Sequence, residues 1–117
     1  MADIAVDEFL RGNYLEQSDF TTPRTMTLIK VEARDVGGDE DRERKLHVWF
    51  SGEDRALVMN KTNIGILKAA FGNMASNWIG KQVEVYVDSN VMFGGKRVGG
   101  LRMRIPQTAQ IETDLAV

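Results

Sequence analysis

One helix-like stretch, Thr62 to Gly72, interrupts a chain whose other periodic segments alternate like strands, three before it and two after. Ile64, Leu67, Ala70 and Phe71 recur at helical spacing, Thr62 or Asn63 offers an N-cap oxygen, and Gly72 suits the position past the C-terminus. The apolar stripe covers only about two and a half turns, so such a helix gains its stability by packing on something else. The pattern therefore predicts a sheet with one helical plug.

The strand-like segments carry their own geometry. Met26 and Leu28 share one parity while Ile29, Val31 and Ala33 share the other. A regular strand would switch its buried face there, so a bend or bulge is expected in a long, curved first strand that contributes to both ends of the sheet. The run from Val36 to Lys45, VGGDEDRERK, is a solvated connection. From Lys45 to Phe50 the alternation is regular: Leu46, Val48 and Phe50 face one way, Lys45, His47 and Trp49 the other. After a turn at Ser51 to Asp54, residues Arg55 to Met59 form a third short strand.

Beyond the helix, Trp78 and Ile79 look like a hydrophobic latch, and Trp78 is assigned to structure. Val83, Val85, Val87, Val91 and Phe93 share a parity, and Gly94-Gly95 suits a two-residue hairpin turn before a return strand, Lys96 to Ile105. Such a turn pairs odd with even numbers. Setting the valines beside Leu101, Met103 and Ile105 therefore requires a one-residue slip, and Gly99-Gly100 is the expected place for it. Pro106 ends the pairing. The order β-β-β-α-β-β is that of a five-stranded OB-like barrel, mainly β, with its helix between strands 3 and 4. A single barrel domain is expected over 23–107, with an N-terminal arm over 1–22 and an acidic tail over 108–117, both of low order.

Composition limits the chemistry. Without cysteine there is no disulfide framework and no thiolate nucleophile or ligand. The N-terminus has acids where a signal peptide needs a basic region, and no apolar run approaches a membrane span, so a cytoplasmic protein without membrane contact is expected. Asp39 and Asp41 alternate as in a calcium loop, but Arg44 occupies the glycine position and no Glu closes it, so no metal is expected. His47 has no nucleophile to activate and is read as a surface strand residue. Gly94-Gly95-Lys96 lacks the rest of a phosphate loop. Neither catalysis nor a cofactor is expected.

The net charge of −2 hides an uneven distribution. Residues 1–60 hold eight Lys/Arg against thirteen Asp/Glu, whereas residues 61–117 hold seven against four. The basic half admits a polyanionic ligand. On outward strand positions, basic residues interleave with aromatics: Lys45, His47 and Trp49 on the second strand, Tyr86 on the fourth, Arg102 and Arg104 on the fifth, with Lys96 and Arg97 at the hairpin tip. Single-stranded nucleic acid needs this combination, bases stacking on rings while cations neutralise phosphates. For Trp49 a second reading stands beside ligand contact, packing under the N-terminal arm or in a dimer contact. Arg102 and Arg104 can equally form a solvated strand face paired with Glu84.

The segments FLRGNYLEQSDF (Phe9 to Phe20), LVMNKTNIGILKAAFG (Leu57 to Gly72), NWIGKQVEVY (Asn77 to Tyr86) and FGGKRVGGLRMR (Phe93 to Arg104) resemble small bacteriophage and prophage proteins encoded near replication or recombination genes. The resemblance implies a nucleic-acid-metabolism context in a bacterial host and transfers no binding residue. The expectation is thus a non-catalytic protein that binds single-stranded nucleic acid, DNA before RNA. The alternative is a protein-interaction module or accessory subunit of a phage replication, recombination or virion complex, docking by a sheet edge or the acidic half. Homo-oligomerisation is left open.

Overall fold

Arg24–Val36 (β1) is a thirteen-residue strand that serves two partners in turn. Its first part, Arg24 to Thr27, pairs antiparallel with Gln82–Asp88 (β4), and its second part, from Leu28 on, pairs with Glu43–Phe50 (β2). Leu28 lies opposite Phe50 and Lys30 opposite Trp49, so Ile29 is an extra residue in the ladder and half its surface is open to solvent (52%). This is the bulge that the parity change required. Met26 and Leu28 before it, and Val31 after it, pack on one side of the sheet.

The computed structural model describes residues 3, 6, 12–37, 40 and 42–106. The third strand is shorter than expected, Leu57–Val58 (β3), followed by an α-helix at Lys61–Phe71 (α1), two short strands Met92–Phe93 (β5) and Lys96–Arg97 (β6), and a last strand Gly100–Arg104 (β7). The main sheet has the order β3-β2-β1-β4-β7, with every pairing antiparallel. Strands β1 to β3 follow one another and β4 returns beside β1, a Greek-key order. The two end strands, β3 and β7, are not paired with each other, so the sheet is open where a closed barrel was expected.

Two side-chain and backbone devices occupy these edges. Asn63 of α1 donates its amide to the Leu101 carbonyl (2.9 Å) and accepts from Met103 N–H (3.0 Å), binding the helix to β7. At the other edge, Tyr14 bridges Ala56 in parallel and Leu15 N–H donates to Ala56 O at 2.8 Å. The described part of the expected N-terminal arm is therefore docked: Leu15 and Phe20 belong to the core, and Arg55 binds Asp19 (2.7 Å) and the Tyr14 carbonyl (3.1 Å). No sustained period marks this segment because it contributes two anchors and no repeating face. The expected tail over 108–117 lies outside the described residues.

The helix begins at Lys61, one residue earlier than expected, because Asn60 supplies the cap: its side-chain oxygen accepts from Asn63 N–H at 2.9 Å. Leu67 is buried, Ile64 and Phe71 half-buried and Ala70 exposed, so the helix lays a narrow stripe on the core. Gly72 follows at φ +101°, where a side chain would be strained. Trp78 is buried with its indole N–H donating to the Gly72 carbonyl at 2.9 Å, which latches the next segment to the helix end. Met26, Leu28, Val48, Phe50, Leu67, Val83, Val85 and Met103 fill the core, each large side chain worth roughly 1.5–3 kcal/mol of burial.

The hairpin after β4 resolves its register as the parities demanded. Phe93 pairs with Lys96 across Gly94-Gly95, both at positive φ, while Val85 pairs with Met103. Between these ladders the amides of Val98 and Gly99 converge on the Val91 carbonyl, and Ser89-Asn90 turn on the Asp88 side chain. The one-residue slip falls there, with Ser89 to Val91 standing against Val98 and Gly99, so the extra residue lies after β4 and not at Gly99-Gly100 as expected.

Candidate functional site

The bulge at Ile29 also decides what the outer face of the sheet displays. Lys30, Glu32 and Arg34 stand opposite Trp49, His47 and Lys45 respectively, so six residues of β1 and β2 share one patch. Glu32 holds two cations at once, Lys30 Nζ at 3.1 Å and the Arg34 guanidinium at 2.8 Å. The Lys30 and Arg34 charges lie 4.6 and 4.7 Å from the Trp49 ring centre, within cation–π range. Hydrogen bonds from Lys30 and Arg34 hold the Glu32 carboxyl below the usual carboxylate range. Trp49 itself is half-buried, and Lys45 pairs loosely with Glu43 at 3.5 Å.

His47 is not a surface residue. It is fully buried beneath Tyr14, whose ring meets it edge-on at 5.5 Å, and beside Trp49 at 6.2 Å. Its Nδ1 lies 3.0 Å from the Lys45 carbonyl, which can only accept, so Nδ1–H donates there, and Nε2 is buried without a hydrogen-bond partner among the described residues. The alternation placed His47 on the outward face correctly; the docked Tyr14 segment then covers it. Trp49 is therefore the more accessible of the two rings, with His47 behind it.

A second centre lies on the same outer face over β4 and β7. Tyr86 pairs with Arg102 and Glu84 with Arg104, and the Arg104 guanidinium sits 4.2 Å from the Tyr86 ring centre. Arg104 is ion-paired with Glu84, which raises its already high pKa. Arg102 donates to the Leu101 carbonyl at 3.4 Å and has no carboxylate partner among the described residues. Thr25, Thr27 and Gln82 lie between the two centres on exposed or half-exposed positions.

Lys96 and Arg97 are exposed on the β5–β6 ribbon, and among the described residues neither has a carboxylate partner. The cations beside the two rings are thus largely neutralised by their own sheet, whereas those of the ribbon have no carboxylate partner among the described residues. Lys30, Arg34 and Glu32 escaped the sequence reading although the parity change carries the signal: once Val31 packs on the core, Lys30, Glu32 and Arg34 face out. Asp39 and Asp41, considered for calcium, lie outside the described residues. Among the described residues no cluster of His, Asp and Glu is arranged to hold a metal, and no helix is long and apolar enough to cross a membrane.

No protein-family model matches the sequence, and no curated protein or solved structure is significantly similar to it.

Proposed function

We propose that this chain binds single-stranded nucleic acid, DNA before RNA, without catalysis, on the outer face of an OB-like sheet. The observation that carries the reading is the pairing of Trp49 with Lys30 and Arg34, and of Tyr86 with Arg104, on one solvent-facing surface. Each ring gives a base a π-face, and a passing phosphate competes with Glu32 or Glu84 for the cations beside it. The Greek-key order and the open seam between β3 and β7 are compatible with a partly open five-stranded barrel of that type, with Asn63 covering the β7 edge and the Tyr14–Leu15 segment the β3 edge. A phage or prophage replication or recombination setting suits this role. Docking of a protein through a sheet edge has less support, because Asn63 and Leu15 already use backbone groups at the two edges.

Titration with oligo(dT), followed by Trp49 fluorescence against the constant signal of buried Trp78, tests the reading. With about four phosphates neutralised, log affinity falls against log salt with a slope near −3, roughly −0.7 per contact. No binding even at low salt refutes it.

A further inference from the structure

We infer that the β5–β6 ribbon is a second nucleic-acid contact, with Phe93 as a base-stacking platform, Lys96 beside it on the same face and Arg97 on the reverse face as phosphate contacts; the inference rests on the function proposed above. Phe93 is 80% exposed, more than any other large hydrophobic side chain among the described residues. A phenylalanine left in water on an otherwise packed molecule forfeits its burial energy, and a bound base stacked on it would recover part of it. Met92 before it, and Val98 just past the return strand, are also more than half exposed, which makes the ribbon an apolar projection.

Charge selects the occupant. In the ribbon ladder Phe93 lies directly opposite Lys96, and Met92 opposite Arg97, so each apolar side chain stands beside a cation. No described carboxylate pairs with either cation, unlike Lys30, Arg34, Lys45 and Arg104. An aromatic face with an unpaired ammonium at the neighbouring position suits a base and its phosphate. The Gly94-Gly95 turn, with φ of +59° and +80°, fixes the ribbon's geometry, and a 3.4 Å bond from the Gln17 side chain to the Val98 carbonyl ties its base to the docked N-terminal segment. The platform is held in place before a ligand arrives.

The experiment measures fluorescein-labelled oligo(dT) anisotropy and thermal midpoint for wild type, Phe93→Ala, Phe93→Trp and Lys96→Ala/Arg97→Ala. Phe93→Ala is expected to weaken binding about tenfold or more with an unchanged midpoint. Phe93→Trp retains affinity, and its new indole is quenched by unlabelled oligo(dT). The double substitution flattens the salt slope by about 1.4, two contacts' worth. If wild type binds and Phe93→Ala stays within about twofold of it, the ribbon is not a contact, while the outer-face reading stands. If Phe93→Ala instead abolishes self-association in sedimentation and leaves DNA binding intact, the ribbon joins two copies of the chain and the inference falls. Absence of wild-type binding removes both proposals.

Discussion

The side-chain oxygen of Asn63 accepts a hydrogen bond from the backbone N–H of Met103 at 3.0 Å, in the position a neighbouring strand's carbonyl would take. Its amide returns a bond to the Leu101 carbonyl, so one helix residue satisfies both backbone groups of an edge strand. The carboxamide is 1% exposed, and water cannot replace it without opening the helix–sheet contact.

Asn63→Ala is therefore expected to strand two backbone groups, each unsatisfied one costing about 1–3 kcal/mol. Urea unfolding should show a lower midpoint with an unchanged slope. Asn63→Asp keeps the acceptor for Met103 but faces the Leu101 carbonyl with an anion, and should be no better than alanine at neutral pH. A midpoint unmoved by either substitution would show that the edge needs no such partner.

Asn63 also marks how far the sequence could be read. Alternation and parity carried the strands, the bulge at Ile29, the Gly94-Gly95 turn and the register slip, because each is a local consequence of which side chains must face inward. Asn63 looked like an N-cap candidate because the sequence records its type and place but not a strand forty residues later. His47 was placed on the correct face and judged exposed, since nothing periodic in Tyr14 to Phe20 announces that this segment docks. At the candidate site, Trp49, Tyr86 and the arginines were legible as outward positions. The pairing of Arg104 with Glu84 was among the readings the sequence offered, but the neutralisation of Lys30 and Arg34 by Glu32 was not, because cross-strand neighbours depend on a register that only the folded chain fixes.

The same docked segment depends on Arg55, whose side chain is mostly buried against Asp19 and the Tyr14 carbonyl. The Asp19 hydrogen bond raises the Arg55 pKa further, so the guanidinium stays charged and its partner cannot be lost without stranding it. Arg55→Met is expected to cost about 1.5–3 kcal/mol, the range for hydrogen bonds to charged groups. Hydrogen exchange should locate the loss: the amides of Leu15 and Phe20 should exchange faster while those of β4 keep their protection relative to the global stability. Equal acceleration everywhere would mean that the segment does not open separately.

Glu32 sets the charge beside Trp49. Its folded pKa lies below its unfolded one, so its pairing with Lys30 and Arg34 contributes stability above the unfolded value and loses it as pH falls through the folded value. A carbon-13 titration of the Glu32 carboxyl should give a midpoint below the ordinary range, moving up in Arg34→Gln. Glu32→Gln should tighten oligo(dT) binding at neutral pH and steepen the salt slope by up to about 1.4, since two cations become available to phosphate. Weaker binding in Glu32→Gln would mean that the carboxylate orients the cations for the ligand and does not compete with it.

The two rings of the outer face are far enough apart to be separated by ligand length. Trp49 lies at the level of Lys30 on β1, whereas Tyr86 lies beyond the Thr25–Glu84 pair on the opposite side of that strand. With strands about 4.8 Å apart and about 3.3 Å per residue along them, the rings are about 20–25 Å from each other over the sheet. An oligo(dT) of about fifteen nucleotides should span both, so Trp49→Ala and Tyr86→Ala should each cost it about 1–3 kcal/mol, the range for one stacked base. Their effects should add to within about 0.5 kcal/mol, as expected for distant sites. An oligo(dT) of about four nucleotides, near the lower limit of such sites, can engage one ring at a time, and the weaker of the two substitutions should then have almost no effect. Anisotropy with the two lengths decides the matter. If both substitutions weaken the short and the long ligand equally, the rings do not form one track and the path across β1 is wrong.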